Sequence, residues 1–240
     1  ATILGCEEIE VDIYSDDVVD LWAADVRLSF DPDVLEVVDQ DAGKAGVQIA
    51  DGPLLIPSWY GFSEHADNTL GTIQYAVTQF SPDDPVTGSG VLATITFRAK
   101  SVGSSNLVFT YSKLADRNGT ELAAATTDSS VSTTAPSIPA VGISKANVSD
   151  VTLSWAGTTG AAEYDIFRDT APYFTPADPP LATIPGTSYT DTNVRGDTAT
   201  NYYYVVQTVC DNGFALQNSN RVGEYDYELY NSLAMNYNDM

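Results

Sequence analysis

Five carboxylates crowd into one short stretch, "DPDVLEVVDQD": Asp31, Asp33, Glu36, Asp39 and Asp41. Paired carboxylates can exchange protons or hold a divalent cation. Either use needs a partner at a readable spacing, and no other segment supplies one. Asp31-Pro32 reads instead as a turn signal, with the remaining acids on the solvent side of a buried strand. His65, in "SEHADN", is the single histidine and reads as a residue of a polar loop. No Gly-x-Ser-x-Gly elbow or His–carboxylate set stands out. "GSG" at 88–90 precedes a strand, which is not the setting of a phosphate loop. No enzyme is expected.

The acidic loops "DQDAG" (39–43), "SPDDP" (81–85) and "DRNG" (116–119) read first as turns, and a surface this acidic could attract calcium. None has the EF-hand spacing, and the sequence names no ligand set. No cofactor is expected. Cys6 and Cys210 make neither a disulfide framework nor a zinc site. They read as unpaired thiols, or as a bridge within one chain or between neighbouring chains.

The elements that would hold these residues are strands. Acidic residues number 33 against 10 basic ones, a formal net charge of −23, so nucleic acid and anionic membranes are poor partners. No stretch is long and apolar enough to span a bilayer. The start, "ATILGCEEIE", lacks the basic and apolar regions of a signal peptide, so a secreted protein would be a processed chain. In "EEIEVDIYS", Ile9, Val11 and Ile13 share one face. "ADVRLSF" puts Val26, Leu28 and Phe30 inward, and Val34, Leu35, Val37 and Val38 re-enter the core after Pro32. "GTIQYAVTQF" and "GVLATITFRA" are further strands, and Asn118-Gly119 marks a hairpin. "TTDSSVSTTAPSIPAVG" is rich in Ser, Thr and Pro without periodicity, and 134–139 is expected to be a linker. Beyond it, Val151, Leu153 and Trp155, then Tyr164 and Ile166, then Tyr202, Tyr204 and Val206 each share a face. "SNRVGEYDYEL" closes the segment. The expected fold is all-β, two β-sandwich domains: 1–133 and 140–229, followed by a tail, 230–240.

Both halves resemble known families. "VVDLWAADVRLSFDPDVLEVVD", "DNTLGTIQYAVTQFSPDDPVTGSGVLATITFRAK" and "LADRNGTEL" resemble the cohesin domain, a jelly-roll sandwich of bacterial cellulosomes and of other prokaryotic surface proteins. Trp155, "YDIFR" and the Tyr-rich stretch 201–209 resemble a fibronectin type III (immunoglobulin-like) sandwich. Cohesins open with one strand more than "ATILGC" provides, which implies either a short first strand or an open edge. The tail, through Leu233, Met235 and Tyr237, is a candidate donor strand.

The first expectation for function is a non-catalytic extracellular or cell-surface structural protein. It would assemble with other copies of itself by strand donation or head-to-tail docking. The alternative is a module that docks a dockerin-like partner on one sheet face, as the resemblance implies. A carbohydrate-binding accessory module is the third. In "PLLIPSWYGF" (53–62), Trp59, Tyr60 and Phe62 read first as part of a loop that caps the core and second as a recognition patch, and Trp22, where a strand begins, is a further candidate for interaction. Asn118 and Asn147 match the N-glycosylation pattern.

Overall fold

The structure is a computed structural model that describes residues 1–55, 59–137, 139–196, 199–211 and 218–224, with only the backbone at 59–62. It falls into two compact units that meet at residues 135 and 136.

The first unit is built from twelve strands. They are β1 (Thr2–Leu4), β2 (Glu8–Leu21), β3 (Ala23–Ser29), β4 (Leu35–Val37), β5 (Val47–Gln48) and β6 (Ala50–Asp51), then β7 (Trp59–Asp67), β8 (Thr72–Gln79), β9 (Val86–Ala99), β10 (Gly103–Ala115), β11 (Glu121–Leu122) and β12 (Ser129–Thr134). One sheet runs β1-β12-β10-β3-β8-β7-β5, with β11 also on β10. The other runs β2-β9-β4, with β6 also on β9. Val26, Leu28, Ile73, Tyr75 and Val77 from the first sheet and Ile13, Leu92, Ile95 and Phe97 from the second are all buried. Period-two alternation produces this arrangement, because every second side chain of β3, β8 and β9 must leave water.

Of the two expectations for the start of the chain, the short first strand is the one found. β1 pairs in parallel with β12, Thr2 opposite Ser132 and Leu4 opposite Thr134. The stretch read as aperiodic contains β12, whose Val131 and Thr133 are buried in alternation with their neighbours. Ser and Thr on the outer face hid that period. The acidic stretch behaves as turn punctuation. Asp31 Oδ1 accepts from the Asp33 N–H, and the Asp31 carbonyl accepts from Val34 and Leu35.

Gly71 closes the β7–β8 turn at φ +66°, and a Cβ there would lie 2.2 Å from the Phe30 carbonyl oxygen. That conformation and that close approach both require glycine.

The second unit has β13 (Gly142–Lys145), β14 (Val151–Ser154), β15 (Ala161–Asp169), β16 (Ala182–Ile184), β17 (Ser188–Asp191), β18 (Tyr202–Cys210) and β19 (Val222–Glu224). They form two antiparallel sheets, β13-β14-β17 and β16-β15-β18-β19. The apolar faces read from the sequence meet in one cluster of Val151, Leu153, Trp155, Tyr164, Ile166, Tyr204 and Val206. Trp155 and Tyr164 pack edge to face at 5.4 Å. Neither Cys6 nor Cys210 is a free thiol.

Candidate functional site

The outward face of β10-β3-β8-β7 in the first unit is a flat surface built by register. One row across it is Lys113, Asp25, Ala76 and Ser63, and the next is Tyr111, Arg27, Gln74 and His65. Ala115, Ala23 and Thr78 form a third. Small side chains occupy the middle, and a shallow depression of about 440 Å³ opens over Ala23, Ala76 and Ala115. The inward residues of the same strands are core, so alternation leaves these side chains on the solvent face.

The charges on this face are held in place. Arg27 bonds Asp25 at 3.1 Å through Nη2 and lies over the Tyr111 ring at 4.8 Å from its centroid. Bonding to Asp25, then its charge, raises the Arg27 guanidinium above its ordinary value, so the cation is permanent. Lys113 reaches Glu121 at 3.4 Å. Beside the face, Arg117 stacks over Trp22 at 4.7 Å and donates to Ser81 at 2.9 Å.

Ser63 Oγ and His65 Nδ1 lie 2.8 Å apart. A nucleophile and base need a third group that orients the base. No carboxylate is hydrogen-bonded to His65 among the described residues. Asp67, on the same strand, accepts at Oδ1 from the N–H groups of Thr69 and Leu70. Those two bonds, Leu70's first, hold the Asp67 carboxyl below its ordinary value. Ser63 and His65 form an exposed polar pair on the β10-β3-β8-β7 face.

His65 therefore lies on strand β7, where the sequence suggested a loop. The loop expected over 53–62 is also partly strand: Trp59, Tyr60 and Phe62 sit on β7, with Trp59 paired to Gln79 and Tyr60 to Thr78. The side chains of those three lie outside the described residues, as do Leu233, Met235 and Tyr237. Trp22 is half-buried between β2 and β3. Asn118 is exposed at the hairpin tip, with its N–H on Asp116. Asn147 is exposed, but its amide nitrogen donates to Asp150.

Two of the acidic loops, 39–43 and 116–119, spend carboxylates on backbone, whereas Asp83 Oδ2 in 81–85 is buried without a hydrogen bond. Asp39 accepts from Gln48 and Asp41, and Asp116 from Thr120 and Asn118. Those N–H donors hold both carboxyls below their ordinary values, Gln48 leading at Asp39 and Thr120 at Asp116. Among the described residues no group of three or more His, Cys, Asp or Glu is placed to hold a metal.

Asp25, Arg27, Gln74, Ala76 and Lys113 of this face were not singled out in the sequence. The signal was present, because fixing Val26 and Leu28 inward fixes Asp25 and Arg27 outward. What was missing was which strands lie side by side.

A family model described as "Cohesin domain" matches residues 7–133, just over half of the chain. Among solved structures, a type II cohesin domain from the cellulosome of Acetivibrio cellulolyticus is 16% identical, with a TM-score of 0.48, covering 54% of this chain and 88% of that one. A non-cellulosomal cohesin from the archaeon Archaeoglobus fulgidus is 19% identical, with a TM-score of 0.42, over 55% and 84%. A cohesin of Acetivibrio cellulolyticus solved in complex with a dockerin is 18% identical, with a TM-score of 0.44, over 55% and 92%. No curated protein matches the chain.

Proposed function

The chain belongs to the cohesin domain family, and from that premise we propose that its first unit is a non-catalytic docking module for a dockerin-like protein. The observation that carries this reading is the β10-β3-β8-β7 face, small at its centre and charged at its edges. A helix laid across Ala23, Ala76 and Ala115 approaches the sheet closely, while Asp25, Arg27, Gln74 and Lys113 fix its register. Four strands spaced about 4.8 Å apart and seven residues long give a face of roughly 19 by 23 Å. A standard interface takes about 800 Å² from each partner, so the flanking turns near Trp22 and Arg117 must add contacts.

The second unit is read as a fibronectin type III-like spacer, supported by its two antiparallel sheets around Trp155. An extracellular or cell-surface location fits a chain in which neither cysteine is a free thiol. Assembly with other copies through the tail has less behind it. β1 is already paired with β12, and residues 230–240 lie outside the described residues. A carbohydrate-binding role rests on Trp59, Tyr60 and Phe62, whose side chains lie outside the described residues.

The test is titration calorimetry of the full chain against a panel of purified dockerins. Binding by at least one is expected. Ala76→Arg, which sets a long cation at the centre of the face, should abolish it, and Arg27→Glu should weaken it. If no dockerin binds, or if Ala76→Arg binds like the parent, the reading fails.

A further inference from the structure

β10 pairs along both edges, and its second edge has a gap. Its first edge pairs with β3 over Val108–Ala115, with one irregularity between Phe109 and Tyr111. Its second edge pairs with β12, Leu107 opposite Ser129, and with β11, Leu114 opposite Leu122. Both pairs belong to one register. Continuing it sets residues 108–113 against residues 123–128, but that ladder is not made. The Phe109 N–H goes to the Asp128 side chain at 2.9 Å. Residues 123–127 are exposed, and no hydrogen bond joins them to another described residue.

This segment borders a cleft of about 620 Å³, whose opposite wall is β2. Among the described residues β2 is an edge strand that pairs only with β9. The cleft reaches the core at Ile13, Val26, Leu92 and Leu114, each no more than 5% exposed. On its β2 rim, Tyr14 and Val19 are each 59% exposed. The cleft thus joins unspent backbone donors and acceptors, an apolar interior and an apolar lip. β1 pairs over Ser132–Thr134 with the edge of β12 that faces away from β10, and residues 122–127 line the cleft.

We propose that this cleft accepts an extended peptide strand from a different protein, with its main chain against residues 123–127. About five residues, roughly 16 Å, would fit that length. Main-chain bonds to the unpaired segment supply affinity, and alternate apolar side chains turn inward between the sheets. Charge selects the occupant. Asp16 and Asp17 line the cleft, and no Lys, Arg or His does. With 33 acidic residues against 10 basic ones, a second copy of this chain is a poor electrostatic match, whereas a strand with a basic end is complementary. The site is separate from the β10-β3-β8-β7 face and does not depend on its use.

The experiment follows the fluorescence anisotropy of a labelled synthetic peptide that alternates valine and threonine and carries lysine at both ends, titrated with the full chain. Saturable binding is expected. Ala124→Trp, which fills the cleft, should weaken it by about tenfold or more. The Asp16→Asn, Asp17→Asn pair should weaken it severalfold and flatten its salt dependence, since asparagine keeps the positive φ of Asp17. A peptide N-methylated at alternate residues should lose binding without any change to the protein. Absence of saturable binding, or equal binding by Ala124→Trp or by the methylated peptide, overturns the proposal. Glutamate-ended peptides binding as tightly, or self-association of the chain that Ala124→Trp removes, overturns the assignment of a cationic foreign strand.

Discussion

The side-chain amide of Asn68 bonds both backbone groups of Val37: its Oδ1 accepts from the N–H at 2.8 Å and its Nδ2 donates to the carbonyl at 2.9 Å. Asn68 lies in the β7–β8 turn and Val37 ends β4, so the contact ties the two sheets of the first unit together. Val37 is 3% exposed, so its backbone groups have no ready substitute in water. Asn220 does the same for Val141 in the second unit, at 2.8 and 2.9 Å. Asn68→Ala should cost about 1–3 kcal/mol, the range for leaving buried polar groups unmade. Asn68→Asp should cost a similar amount, because it loses the donor and sets a charge against a carbonyl. Urea unfolding of the full chain measures both. A cost near zero would mean that the amide is dispensable.

The second unit depends on a charged link between its sheets. Asp191 on β17 accepts from the Tyr204 hydroxyl at 2.9 Å and from Arg168 Nη1 at 2.8 Å. Burial, then the Asp191 charge, pushes the Tyr204 phenol far above its ordinary value, so it remains a donor across the useful pH range. Tyr204→Phe removes one charge-assisted bond from a fully buried site and should cost about 1.5–3 kcal/mol. Asp191→Ala should cost more, because it strands both donors. Thermal unfolding that ranks these two in the opposite order would show that the link is not what joins the sheets.

Much of this was legible in the chain. Alternation placed Val26 and Leu28, Val151 and Leu153, and Tyr204 and Val206 in the cores, because burial on one face is a local signal with period two. The residues that join strands across a sheet were not legible. Asp25 and Lys113 are 88 positions apart in the sequence yet are opposed in register. β12 was hidden because its outer face is Ser and Thr, so the stretch read as aperiodic. The cleft beside residues 123–127 was invisible, since an absent ladder leaves no mark in composition.

Cys6 and Cys210 give a direct test of compartment. Neither is a free thiol, so a maleimide should not label the denatured chain until a reductant is added. Intact mass would show no adduct before reduction and two afterwards, one for each cysteine in the sequence. A non-reducing gel then separates the two bridges that the sequence left open, with monomer mobility for a bond within one chain and dimer mobility for a bond between chains. Labelling before reduction of protein from its native source would contradict the oxidised state and weaken the extracellular reading.

Glu64 sets a pH dependence of unusual sign for a carboxylate. Its side chain is 11% exposed, its Oε2 is 3.7 Å from Lys44 Nζ, and its Oε1 is buried without a hydrogen-bond partner. Burial first, and Asp51 second, raise its carboxyl above the ordinary value, and Lys44 offsets only part of this. A raised folded value means that the native state holds the proton more tightly than the unfolded chain. The stability this contributes is complete below the ordinary value of about 4.3 and is lost as pH rises through the folded value. Asp39, Asp67, Asp116 and Asp150 act in the opposite sense, since backbone N–H groups hold them low and their contribution is lost on acidification. The difference between Glu64→Gln and the parent isolates the single site. That difference should be small near pH 4 and should grow in favour of the variant toward neutrality. Melting curves across that range decide the matter. A difference that is flat, or that favours the parent at neutral pH, would mean that the Lys44 pair outweighs burial.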